Sequence, residues 1–269
     1  MSKTSLMGIV NITPDSFYYH TPTCEEAVAA ALRLQQEGAD IIDIGGESSR
    51  PGADPVTHET ELARVLPVIK NLKGKLTIPI SIDTCKPSIA RLAVQAGASF
   101  INDITGFTQN EMVEVALEYN TDICVMHMLA PPKTMQINPN YPNGITQFLL
   151  EWFEKRIYTL VKKGINPKKI ILDPGIGFGK TIADNLEIIH NLPRFKRLGF
   201  RVLLGVSRKS FLSKILNMPS SELLAPTIAM NVMAMAAHVD IIRVHDVKEH
   251  RAVIDLMQTY EQLNNAKRL

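Results

Sequence analysis

Gly38-Ala-Asp-Ile-Ile-Asp43 decides the reading of the fold, because the chain repeats its form twice more, as Gly97-Ala-Ser-Phe-Ile-Asn102 and His238-Val-Asp-Ile-Ile-Arg243. Each copy is a helix end, a tight turn and a short apolar run closed by a polar side chain. Strand side chains alternate faces with a period of two, so Asp43, Asn102 and Arg243 should point the same way. Working outward, runs of this kind occur at about 5–12, 39–45, 77–84, 99–104, 122–128, 169–175, 201–207 and 241–246. Their brevity and Ile/Val content favour strands over helix fragments. They close on Asn11, Asp43, Asp83, Asn102, His127, Asp173, Ser207 and Arg243, residues that apolar burial does not explain.

Helical signals fill the intervals. Thr23 before Cys24-Glu25-Glu26 reads as an N-cap with acids in the first turn. Pro87 opens a run that Gly97 closes. Ile145 to Lys163 is amphipathic and stops at Gly164, and Pro67 predicts a kink in its helix. Eight strands alternating with helices predict a (β/α)8 barrel, a TIM-barrel architecture formed by one domain over residues 1–269. An open doubly wound sheet is the alternative, and the regular eightfold count favours closure. Loops at about 13–22, 47–56 and 129–144 all follow strands, which puts them on the face where such barrels carry chemistry.

The bulk properties narrow the function. The 269 residues are 45% hydrophobic and 21% charged, with a net charge of +2 and no block of like charge. No basic stripe speaks for nucleic acid, and no apolar run is long enough to span a membrane. Cys24, Cys85 and Cys124 have no ligand spacing and read as reduced thiols, so a cytoplasmic protein is expected.

Several motifs carry chemistry. Glu47-Ser-Ser-Arg-Pro-Gly52 offers hydroxyls and a guanidinium fork suited to a carboxylate or phosphate. Asp83 and Asn102 put a carboxylate and a carboxamide at the ends of neighbouring strands. Asp173-Pro-Gly-Ile-Gly-Phe-Gly-Lys-Thr181 is neither a P-loop nor a dinucleotide fingerprint. It reads as a strand-end acid followed by glycines that let a ligand approach the backbone, with Phe178 either stacking on a flat ring or packing inward. Ser207-Arg-Lys-Ser-Phe211 suggests an anion site at a helix start, and Lys209 there also suits a Schiff base. Arg243 and His245 share one strand face and are placed to hold phosphate oxygens.

In order along the chain, Asn11-Ile-Thr-Pro-Asp-Ser-Phe17, Gly45-Gly-Glu-Ser-Ser-Arg-Pro-Gly52, Ile82-Asp-Thr84, Asn102-Asp-Ile104, Asp173 to Lys180, Ser207-Arg-Lys-Ser210 and Arg243-Val-His-Asp246 resemble the dihydropteroate synthase family. The resemblance implies an enzyme that joins 6-hydroxymethyl-7,8-dihydropterin diphosphate to p-aminobenzoate and releases pyrophosphate with Mg²⁺. It implies Asp83, Lys209, Arg243 and His245 as catalytic residues, and Asp83, Asn102, Asp173 and Lys209 around the pterin. Asn11, Arg243 and His245 would hold the diphosphate, with Asn11 as the metal ligand. Ser49, Arg50, Pro51, Phe178 and Ser210 would border the p-aminobenzoate. A homodimer is expected on the same ground. Tyr18-Tyr-His-Thr21, Ser49 and, after His127-Met128, Leu129-Ala130 depart from the family's usual residues. A methyltetrahydrofolate-binding methyltransferase barrel, a lysine-dependent aldolase and a catalytically silent pterin-binding protein are the competing readings.

Overall fold

The computed structural model describes residues 4–14 and 22–266. Strands β1 (Ser5–Asn11), β2 (Ile41–Gly45), β3 (Ile80–Asp83), β4 (Phe100–Asp103), β5 (Asp122–Met126), β6 (Ile170–Asp173), β7 (Arg201–Leu204) and β8 (Ile241–Val244) run parallel in chain order. β1 pairs with both β2 and β8, so the sheet is a closed barrel and the open arrangement is excluded. All eight expected strands form, each somewhat shorter than its apolar run.

Outside the barrel lie α1 (Cys24–Gln36), α2 (His58–Leu72), α3 (Pro87–Ala96), α4 (Asn110–Tyr119), α5 (Ile145–Lys162), α6 (Ile182–His190), α7 (Leu192–Lys196), α8 (Ser210–Leu216), α9 (Leu224–Ala236) and α10 (Val247–Ala266). Thr23 caps α1 in a reciprocal capping box with Glu26. Gly97 ends α3 at φ 131, a backbone region that a side chain would oppose. Pro67 does not end α2, which continues to Leu72.

The core has two parts. The larger fills the space between the strands' outer faces and the helices. The smaller plugs the barrel interior with Met7, Phe100, Cys124, Ile171, Leu203 and Ile241, and Ile41 packs against it. Two positions further along their strands, Ile41, Phe100, Ile171 and Ile241 are succeeded by Asp43, Asn102, Asp173 and Arg243. Period two therefore stacks a polar layer directly above an apolar plug.

The repeat also explains the floor of the barrel. Asp40 accepts from the Leu6 amide at 2.7 Å while its own amide donates to Leu6 O at 2.8 Å. Asp240 does the same with Val202, at 2.7 and 3.0 Å. The Asp of the first and third copies thus ties the second amide of one strand to the start of its neighbour.

Candidate active site

Asn11, Gly45, Asp83 and Asn102 are consecutive register partners across β1 to β4, so they form one row around the rim. Gly45 keeps that row open. A Cβ there would lie 3.3 Å from Asn11 Oδ1 and 3.5 Å from Asp83 Cβ. Since β1 and β8 are neighbours, Asn11 also stands on the barrel side that carries Arg243.

Arg243 is the hub of the mouth. Its Nε donates to Asp43 Oδ2 at 2.6 Å and its NH2 to Asp83 Oδ2 at 2.7 Å. Asn102 Nδ2 donates to the same Asp43 oxygen at 3.1 Å. A carboxylate oxygen only accepts, so the amide nitrogen must face it and the Asn102 oxygen is turned elsewhere. The three residues of the sequence repeat thus converge on one another. Asp43, which the sequence left without a role, orients the other two. Burial pushes Asp83 up to about 7, against the opposing pull of Arg243. Arg243 stays cationic, because Asp43 and Asp83 outweigh the cost of its burial.

Lys209 approaches from the end of β7. Its ammonium donates to the Ile176 carbonyl and lies 4.6 Å from the centre of the Phe178 ring. Burial pushes Lys209 down to about 8, and Asp173 is the main group opposing that shift. Burial raises Asp173, while Lys209 and a 2.7 Å bond from the Gly175 amide act to lower it. Phe178 is half-buried against Lys209, so it lines the mouth instead of joining the core.

The glycine loop packs closely on the loop after β5. Gly175, Gly177 and Gly179 all have positive φ. A Cβ on Gly175 would come 2.0 Å from His127 O, and one on Gly179 would come 2.2 Å from Leu129 Cβ. At Gly175 and Gly179 the close approach that demands glycine is made by the loop after β5. Lys180 completes the join. Only 3% exposed, it reaches His127 Nδ1 and Phe178 O at 3.0 Å and His127 O at 3.3 Å. Three acceptors match the three donors of an ammonium. His127 itself sits edge-on to Trp152, Phe148 and Tyr141, with ring centroids 5.1, 5.4 and 6.4 Å away. Its burial and Lys180 push it down to about 3, so it is neutral and serves as an anchor.

At the end of β8, Ser207 Oγ contacts His245 Nδ1 at 3.0 Å. Arg208 corrects the expected anion site. It grips both Asp246 oxygens at 2.9 and 2.7 Å and donates to Ser220 O and Ser221 O at 3.0 and 2.9 Å. Its guanidinium braces loops, which leaves Lys209 and Ser210 of that motif for the mouth. Ser210 is exposed on the first turn of α8. Ser49 is half-buried, and Arg50 and Pro51 are exposed in the loop after β2. Asn11 to Pro14 are described, whereas Asp15 to Phe17 and the departing stretch Tyr18 to Thr21 lie outside the described residues.

Sequence reasoning missed the strut beneath the β2 loop. Glu61, wholly buried on α2, accepts from Thr84 at 2.6 Å and from Lys86 at 2.5 Å, and Lys86 also bonds Glu47. The available signal was a charged side chain on the core face of α2, one turn before Val65. Among the described residues no cluster of three His, Cys, Asp or Glu has metal-site geometry.

Comparison with known proteins agrees with this architecture. A family model described as pterin binding enzyme matches residues 7–245. The dihydropteroate synthase of Synechocystis sp. is 44% identical over 253 residues, covering 91% of this chain and 86% of that protein. The structure of Yersinia pestis dihydropteroate synthase with a sulfonamide drug complex aligns with a TM-score of 0.93 at 36% identity, covering 97% of this chain and 95% of that one. The Xanthomonas albilineans dihydropteroate synthase in complex with 7,8-dihydropteroate gives 0.87 at 35% identity, covering 96% and 94%. Kinship at this level runs through nearly every strand end that furnishes the mouth, and the chain belongs to the dihydropteroate synthase family of pterin-binding enzymes.

Proposed function

We propose that the mouth condenses 6-hydroxymethyl-7,8-dihydropterin diphosphate with p-aminobenzoate, giving 7,8-dihydropteroate and pyrophosphate. The observation that carries this is Arg243, bonded to Asp43, which it shares with Asn102, and to Asp83, which stands in one rim row with Asn11. One cation thereby borders both a polar edge fit for a flat heterocycle and a rim fit for phosphate oxygens.

The pterin ring presents N–H donors and a carbonyl on one edge. Asp173 accepts the donors, Lys209 donates to the carbonyl, and the Asn102 oxygen and Asp83 engage the rest of the ring. Arg243, His245 and Asn11 hold the diphosphate. Ser49, Arg50, Pro51, Phe178 and Ser210 border the p-aminobenzoate, with Arg50 and Ser210 toward its carboxylate.

The bond from the pterin methylene carbon to the diphosphate oxygen breaks first, and its electron pair leaves with the oxygen. The electron-rich dihydropterin spreads the resulting cation, and the carboxylate of Asp83 favours that charge. The neutral aromatic amine then bonds to the methylene carbon and loses a proton. No covalent enzyme intermediate is required.

Mg²⁺ belongs to this reading. The ion keeps several waters and takes one or two protein oxygens together with substrate phosphates. Asn11 Oδ1, beside the space that Gly45 leaves, fits that sparse donor set. When bound, the ion would neutralise charge developing on the leaving group. Asn11 would hold it, and Arg243 and His245 would orient the same diphosphate. A homodimer and a cytoplasmic location form part of the proposal on the strength of the kinship.

The test is direct: incubate the protein with the pterin diphosphate, Mg²⁺ and p-aminobenzoate, and measure pyrophosphate. Release that depends on the amine is expected. Pterin binding without turnover would instead favour a silent binding protein, and methyl transfer from methyltetrahydrofolate would favour the methyltransferase barrel.

A further inference from the structure

Ser207 follows β7 and meets His245 twice. Its Oγ lies 3.2 Å from the His245 backbone nitrogen and 3.0 Å from Nδ1. The backbone N–H is purely a donor, so Oγ accepts there. The hydroxyl proton is then directed to Nδ1, and among the described residues no other acceptor receives it. A nitrogen that accepts carries no proton, and in a neutral imidazole the proton must sit on Nε2.

The ring is indeed neutral at ordinary pH. Enclosure at the mouth and then Arg243 push His245 down to about 4, with Arg208 and Arg50 adding to the effect and Asp246 opposing it. Asp246 cannot offset this much, because both its oxygens are taken by Arg208.

We propose that Ser207 is a positioning residue that fixes His245 as its Nε2–H tautomer, so that the ring meets the leaving diphosphate as a neutral donor. The inference rests on the diphosphate reading of Arg243 and His245 given above. The opposite tautomer would turn a lone pair toward phosphate oxygens and repel them. What Ser207 supplies is the location of one proton, a contribution distinct from filling space.

Long-range proton–nitrogen correlation spectra of ¹⁵N-histidine-labelled protein read the tautomer directly, with His245 assigned by the signal lost in His245→Gln. The native ring is expected to show a protonated Nε2 at pH 7.5. In Ser207→Ala the two tautomers should mix, and magnesium pyrophosphate should bind about three- to tenfold more weakly. The KM for p-aminobenzoate should stay unchanged, and Ser207→Thr should restore the native spectrum and affinity. A native ring protonated on Nδ1 would overturn the proposal, as would a Ser207→Ala protein with unaltered spectrum and affinity. A native Nε2–H ring that does not respond to magnesium pyrophosphate would uphold the tautomer and overturn the diphosphate reading.

Discussion

Asp43 lies at the centre of the mouth with no exposed surface, yet its one bonded oxygen serves both Arg243 and Asn102. Removing it strands part of a buried guanidinium and frees the Asn102 amide to turn. Asp43→Ala should cost roughly 3 kcal/mol of stability, read by denaturant unfolding. It should also weaken both pterin and pyrophosphate binding, which substitution of a residue serving one ligand would not do. Lys209 gives a pH signature. Its pKa is pushed down to about 8, so it is an ammonium below that pH and a neutral amine above it. An ammonium is the stronger donor to a pterin carbonyl. The dissociation constant of the pterin diphosphate should therefore rise as pH passes 8, as measured by calorimetric titration. Lys209→Gln should bind weakly at every pH and show no such limb.

At the scale of elements, the loops after β5 and β6 behave as one piece. Gly175 and Gly199 make a controlled pair, with similar φ of +70 and +84, but a Cβ on Gly175 would strike His127 O while one on Gly199 would meet nothing within 4 Å. Gly199→Ala should cost about 1 kcal/mol, the backbone penalty alone. Gly175→Ala should cost several times more and raise the KM for the pterin diphosphate, because Asp173 starts the same loop. Lys180 links these loops and is pushed down to about 7 by its burial. Its ordinary pKa is near 10.4. Between those values the unfolded chain binds more protons than the folded one, so this lysine makes stability rise with pH across that window. Lys180→Met should flatten that part of the pH–stability curve.

Across the whole molecule, the two ends of the barrel are separated by the plug of Met7, Phe100, Cys124, Ile171, Leu203 and Ile241. Below it, Asp240 ties the start of β7 to β8, holding the Val202 amide at 2.7 Å and pairing with Lys196. Asp240→Ala should lower stability by about 1–2 kcal/mol through an unsatisfied amide and leave both KM values unchanged. At the other end, Arg243→Lys keeps a charge but loses the fork that spans Asp43 and Asp83. It should abolish most pyrophosphate release, an effect to be read by steady-state kinetics.

The barrel was legible in one dimension, because burial leaves a period of two and a helix-terminating turn in the order of residues. It was equally legible that Asp43, Asn102 and Arg243 would share a direction, since equal positions in equal strands can only do so. The tertiary structure alone decided how those side chains pair, for closure of the sheet brings β8 beside β1 and lets Arg243 reach residues 200 and 160 positions away. It also decided that Gly175 and Gly179 of the β6 loop answer to the β5 loop, that Arg208 braces Asp246, and that Glu61 and Lys86 support the loop after β2. Such contacts join segments distant in the chain, and their energy depends on burial and on a partner's position, which no local pattern of residues encodes.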